Sequence, residues 1–180
     1  MEEYVERLCC DPASVNLSEA NRLQRDLPQL IRLFYVLSRE MLGALDITIL
    51  QSYILMGLQV NGPMTMTEIS DYTKLAASTV TRVADKLVKA NLTERMCDER
   101  DRRVVCLKLS ESGEARSTQI RTLQNVFFQG LLSGLSALER ESIVSGLALL
   151  TGRLAQFADQ RHDAIDVGED LLVMADTALA

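Results

Sequence analysis

Near both ends of this chain, apolar residues recur at alternating spacings of four and three. That periodicity restricts what the chain can fold into. Leu30, Phe34, Leu37 and Met41 form one series, which Leu23 and Leu27 extend backwards; Ile143, Leu147, Leu150, Leu154 and Phe157 form another. Such spacing puts every member on one helical face, in a stripe like a coiled-coil seam. Ile120, Leu123, Phe127 and Leu131 form a third stripe in a helix read from Ser110 to about Leu132. A chain of 180 residues makes one modest domain. Helices this long carry more apolar surface than so small a core can cover. The sequence therefore predicts a homodimer in which the outer helices bury one another.

Between these stripes the periodicity shortens and then changes. Thr48 and Gln51 stand in capping-box spacing ahead of a helix that stops at Asn61-Gly62-Pro63, and Thr65 and Glu68 repeat the device. In "ASTVTRVADKLVKAN", Val80, Val83, Ala84, Leu87 and Val88 fall on one face. Ser78, Thr79, Thr81, Arg82, Lys86 and Lys89 are read on the other. Asn91 follows where a left-handed residue would end the helix. Two short strands, "LTERMC" and "VVCLKLS", then bracket "DERDRR". Ser136 and Glu139 cap the last long helix. A three-helix unit closed by a hairpin is a winged helix-turn-helix. The fold expected is mainly α with a small β-hairpin wing, inserted in a helical dimerisation domain.

The domain reading follows. Residues 1–26 are an N-terminal extension, 27–44 with 109–162 the helical dimerisation region, and 45–108 the winged helix-turn-helix. Residues 163–180 are an acidic tail, either a last short helix or loose. Pro28 fits the first turn of the helix that begins the dimerisation region. A short helix capped by Asn16 or Ser18 precedes it, unless one kinked helix runs through both.

Charge is distributed unevenly. The formal net charge is −6. Residues 72–108 nevertheless carry nine basic and five acidic side chains, while the segments on either side are each net −5. A basic island of this kind points to a local polyanion contact. Chemistry of other kinds finds little support. The single histidine, His162, has no companion ligand, so zinc sites built on histidine pairs and imidazole-assisted nucleophiles have one candidate between them. There is no glycine-rich phosphate loop. Neither an enzyme nor a cofactor is expected. The opening "MEEYVERLCC" is acidic where a signal peptide is basic, and charge interrupts every apolar run before membrane-spanning length. A cytoplasmic protein with reduced cysteines and no membrane contact is expected.

Four segments, "LDITILQSYIL", "TMTEISDYTKLAASTVTRVADKLVKANLTER", "DERDRR" and "VVCLKLSESGEA", together resemble the MarR family of winged-helix transcription regulators over about residues 28–160. The resemblance implies a homodimer on a pseudo-palindromic operator in double-stranded DNA. The helix from Ala77 to Ala90 would enter the major groove and the hairpin tip an adjacent minor groove. It also implies a regulator, usually a repressor, that releases DNA on binding a small aromatic or anionic effector or on cysteine oxidation. On this reading Thr79, Thr81 and Arg82 meet base edges, while Ser78 and Lys86 meet the backbone. Asp101 and Arg103 match the family's wing tip, beside Arg102, with the aspartate holding the guanidinium that enters the groove. Arg95 matches a position near the DNA backbone. Two departures stand out: Asn91 where the family has glycine, and Ala76 where it has a polar cap. The competing reading is a winged-helix interaction module whose basic hairpin docks an acidic protein.

Matching positions offer Arg32, Tyr35, Arg39 and Tyr53 as effector lining. The tyrosines read equally as core residues with a wet edge, and the arginines as surface charges. If the hairpin is symmetric about Asp101 and Arg102, Cys97 and Cys106 face each other outside the core, where Cβ atoms lie about 4.5–5.5 Å apart. Oxidation there would stiffen the wing. Two small residues in a short ladder are the plain alternative.

Overall fold

The structure is a computed structural model that describes residues 16–97 and 105–159. Its elements, in order, are α1 (Leu17–Gly43), α2 (Ile49–Asn61), β1 (Met64–Thr65), α3 (Met66–Thr73), α4 (Ala77–Lys89), β2 (Thr93–Cys97), β3 (Val105–Leu109), α5 (Glu111–Leu132) and α6 (Ala137–Asp159). This is the mainly helical fold with a small antiparallel sheet that the sequence predicts.

Capping chemistry sets most of the helix starts. Both expected boxes close. Thr48 and Gln51 exchange hydrogen bonds at the head of α2, and Thr65 and Glu68 do so at the head of α3. Each satisfies two N–H groups that the first turn leaves orphaned. The Ser136 hydroxyl and backbone N–H both donate to Glu139 at the head of α6, and those bonds hold the carboxyl below the ordinary glutamate value. Asn16 begins α1 by accepting from the Ser18 N–H at 2.9 Å.

At α1 one helix runs through both segments, the alternative the sequence left open. It spans 27 residues with Pro28 inside it. Pro28 removes one backbone donor, but the stripe on either side of it keeps one register, and the helix continues. Residues 1–15 and the acidic tail lie outside the described residues.

The core sits among α2, α3, α4 and the sheet. Ile54, Leu55, Ile69, Val80, Leu87 and Leu107 are buried there, and Leu42 of α1 and Ile120 of α5 close it from the outer helices. Each such side chain stabilises the fold by about 1.5–3 kcal/mol relative to exposure. The sheet has the order β1-β3-β2 and is antiparallel throughout. The two-residue β1 pairs Met64 with Leu107 and Thr65 with Cys106, a strand the sequence reading did not foresee.

A tight joint connects the winged unit to α5. Asn91 takes φ 56°, the left-handed conformation expected of it. Its carbonyl accepts hydroxyl bonds from Ser110, at 2.6 Å, and from Ser112. Ser110 also accepts from the Gly113 N–H as the cap of α5, while its own N–H donates to the Leu92 carbonyl. A Cβ on Gly113 would stand 1.9 Å from that carbonyl oxygen, so only glycine lets α5 approach the backbone here.

Candidate nucleic-acid interface

Helices α3 and α4 form a helix-turn-helix. Lys74 ends α3 at φ 56°, and the Ser70 hydroxyl donates to the Leu75 carbonyl at 2.6 Å, holding the turn while Leu75 enters the core. Helix α4 begins at Ala77 with no side-chain cap at Ala76, as the missing polar residue implied. Its first-turn N–H groups are thus unmet by any side chain, and an anion suits them.

The exposed face of α4 is a single stripe of Ala77, Ser78, Thr81, Arg82, Asp85, Lys86 and Lys89. These positions recur at helical spacing opposite Val80, Val83, Ala84 and Leu87. Among the described residues Arg82, Lys86 and Lys89 form no ion pair, so their charge faces solvent. The Thr81 hydroxyl donates to the Ala77 carbonyl at 2.9 Å. Thr79 corrects the sequence reading. It lies on the core side of α4, 4% exposed, and is not on the stripe that could meet a base.

Beside this helix, Arg95 of β2 reaches across to Asp85 of α4 and donates to its carboxylate at 2.6 Å. Sequence spacing gave no sign of this pair, because the two residues belong to different elements. Arg95 therefore sits beside the stripe and offsets the local charge of Asp85.

The wing register corrects the cysteine reading. Cys97 pairs with Val105, and Met96 with Cys106. Successive strand residues point to opposite faces, so the two cysteines lie on opposite sides of the sheet. Cys97 is exposed, while Cys106 is buried, 5% exposed. A bond between them across the hairpin is excluded by this register. Asp101, Arg102 and Arg103 lie outside the described residues.

Of the effector candidates, Arg32, Tyr35 and Arg39 lie on α1 and Tyr53 on α2. Arg32, Arg39 and Tyr53 are exposed and Tyr35 is half-buried, and no hydrogen bond or ion pair among the described residues joins them. A cavity of about 490 Å³ lies elsewhere, where the end of α2 meets β3 and α5; Gln59, Pro63, Lys108, Glu114 and Thr118 are among its lining. Among the described residues no group of three or more His, Cys, Asp or Glu could hold a metal ion, and no helix is long and apolar enough to cross a membrane.

Comparison with known proteins places these features in context. The model of the MarR family matches residues 47–105, from the start of α2 to the return strand of the wing. The chain is 29% identical over 147 residues to the HTH-type transcriptional repressor MdtR of Bacillus subtilis, covering 79% of this chain and 92% of the relative. It is 31% identical over 109 residues to YsmB of the same organism, an uncharacterised HTH-type transcriptional regulator, covering 61% of this chain and 75% of the relative. Among solved structures, a mutant of MarR from E. coli complexed with operator DNA matches with a TM-score of 0.64 and 27% identity, covering 78% of this chain and 99% of that one.

Proposed function

This chain belongs to the MarR family of DNA-binding transcription regulators, and from that premise we propose that it works as a homodimeric repressor of a pseudo-palindromic operator. The exposed stripe of α4 carries the proposal. Thr81 and Arg82 stand at the start of the helix, where side chains reach base edges, while Ser78 beside them and Lys86 and Lys89 further along suit phosphates. Arg95 flanks the stripe for a backbone contact. By the family resemblance Asp101, Arg102 and Arg103 match the wing tip, and a narrow minor groove, rich in negative potential, is the target an arginine there would suit.

Dimerisation is supported by apolar surface that the single chain leaves uncovered. Leu30, Ile31, Leu33, Phe34, Val36 and Leu37 of α1 are exposed, as are Val126, Phe128 and Leu131 of α5 and Ile143, Val144 and Leu147 of α6. Monomeric soluble proteins rarely expose contiguous apolar patches beyond a few hundred Å². On this reading residues 27–44 and 109–162 belong to the dimerisation region and 45–108 to the reading head. A small aromatic or anionic effector would bind near Arg32, Tyr35, Arg39 and Tyr53, between the two.

Selection of bound duplexes from a random pool tests the proposal. A palindromic consensus is expected, with affinity falling steeply in salt and on the order of 10³-fold above random duplex. Arg103→Ala should weaken binding and relax the consensus at its edges. Adding aromatic carboxylates to the bound complex tests release, which Arg39→Ala should blunt. Failure to enrich any sequence would sink the repressor reading and favour a module that docks an acidic protein.

A further inference from the structure

The exposed face of α4 is divided into two columns that differ in what they can offer a base. Ser78, Arg82 and Lys86, four residues apart, form a column of donors. Ala77, Thr81 and Asp85 form the column beside it, which ends three turns on from Ala77 at Lys89. Ala77 has only a methyl. Asp85 is engaged by Arg95 at 2.6 Å. Thr81 carries a hydroxyl, but that hydroxyl donates to the Ala77 carbonyl at 2.9 Å. A threonine hydroxyl has one proton, and with it committed to the backbone Thr81 has none for guanine O6 or N7. Turning Oγ1 toward the helix leaves the γ-methyl as the outward group, in line with the methyl of Ala77 one turn earlier.

We propose that Thr81 is a specificity-determining residue that reads thymine through methyl–methyl contact in the major groove, with Ala77 extending the apolar strip. This deepens the operator-binding reading above and rests on α4 being the major-groove helix. The C5-methyl of thymine is the apolar feature that the major groove presents, and it is absent from the other three bases. Each half-site then carries a thymine opposite the Ala77–Thr81 column, next to the position met by the Ser78–Arg82 column.

Deoxyuridine isolates the contact, since it differs from thymidine by that methyl alone. Thymines in the selected operator are replaced one symmetric pair at a time, and affinity is measured by fluorescence anisotropy. One buried methyl corresponds to about fourfold in affinity, so the wild type should lose about 15-fold at one thymine pair. Thr81→Val keeps an outward methyl and should retain that sensitivity. Thr81→Ser keeps the hydroxyl, loses the methyl, and should become indifferent to uracil there. Wild-type indifference to uracil at every pair overturns the proposal while leaving operator binding intact. So does the reverse pattern, in which serine retains the sensitivity and valine loses it. If no operator is selected at all, the reading beneath the proposal fails with it.

Discussion

Asp85 is an acid in the midst of Arg82, Lys86 and Lys89, on the face that would meet phosphates, and Arg95 is what makes it tolerable there. Both side chains are about half exposed, so the pair adds on the order of 1 kcal/mol or less to stability. Its weight is electrostatic. Arg95→Ala is expected to change the urea unfolding free energy by less than about 1 kcal/mol, yet to weaken binding to every duplex and lower the salt slope by about one. Asp85→Asn should do the opposite, tightening binding to random duplex more than to operator. Titrations of both variants at two salt concentrations check the pair. Much of this face was legible, because Ser78, Thr81, Arg82, Lys86 and Lys89 recur at helical spacing opposite valines and leucine. Thr79 was misplaced because its chemistry outweighed its position. It lies four residues before Val83 and eight before Leu87, on the core column. The Asp85–Arg95 bond was not legible, since ten residues and a change of element separate its partners.

Elements announced by capping chemistry and strong periodicity were readable in kind and nearly in extent. Strand pairing was not. The two strands of the wing were foreseen, but their register depends on the loop between them, and a shift of one residue moves every side chain to the other face. That shift separates Cys97 from Cys106 and removes the disulfide idea. Strand β1 escaped notice because two residues cannot display an alternation. The start of α5 gives the sharpest test at this scale. Gly113→Ala drives a methyl into the Leu92 carbonyl rather than into a flexible side chain, so the backbone itself must shift. Overpacking of this kind costs about 1–3 kcal/mol. The midpoint of urea unfolding should fall accordingly. Gly146→Ala in α6, where a Cβ meets nothing within 4 Å, is the control and should leave it unchanged or raised.

For the whole molecule, the stripes of α1 and α6 foretold surfaces that the single chain does not bury. Phe34 lies against both Phe127 and Phe128, with ring centroids 6.4 and 6.3 Å away, so α1 and α5 share one aromatic cluster open to solvent. Leu147→Glu, an exposed change in the monomer, should leave the fold intact but give a monomer by light scattering, with operator affinity reduced at least 100-fold. A dimer that survives this change places the interface elsewhere. Periodicity reveals that such a surface exists, but not the angle at which two copies meet, because that angle belongs to neither chain alone. The knot of Ser110, Ser112 and Gly113 on Asn91 and Leu92 then takes on a mechanical meaning. It ties the end of the reading helix directly to the root of α5 through backbone and hydroxyl hydrogen bonds. In the proposed dimer each half would be the arm of a caliper, its jaw set by how the outer helices are seated. A rotation of a few degrees at that seat, amplified along the arm, misplaces the jaws by ångströms against a duplex whose pitch is fixed. An effector of the proposed dimer would need no rearrangement of its jaws, only a wedge near the hinge.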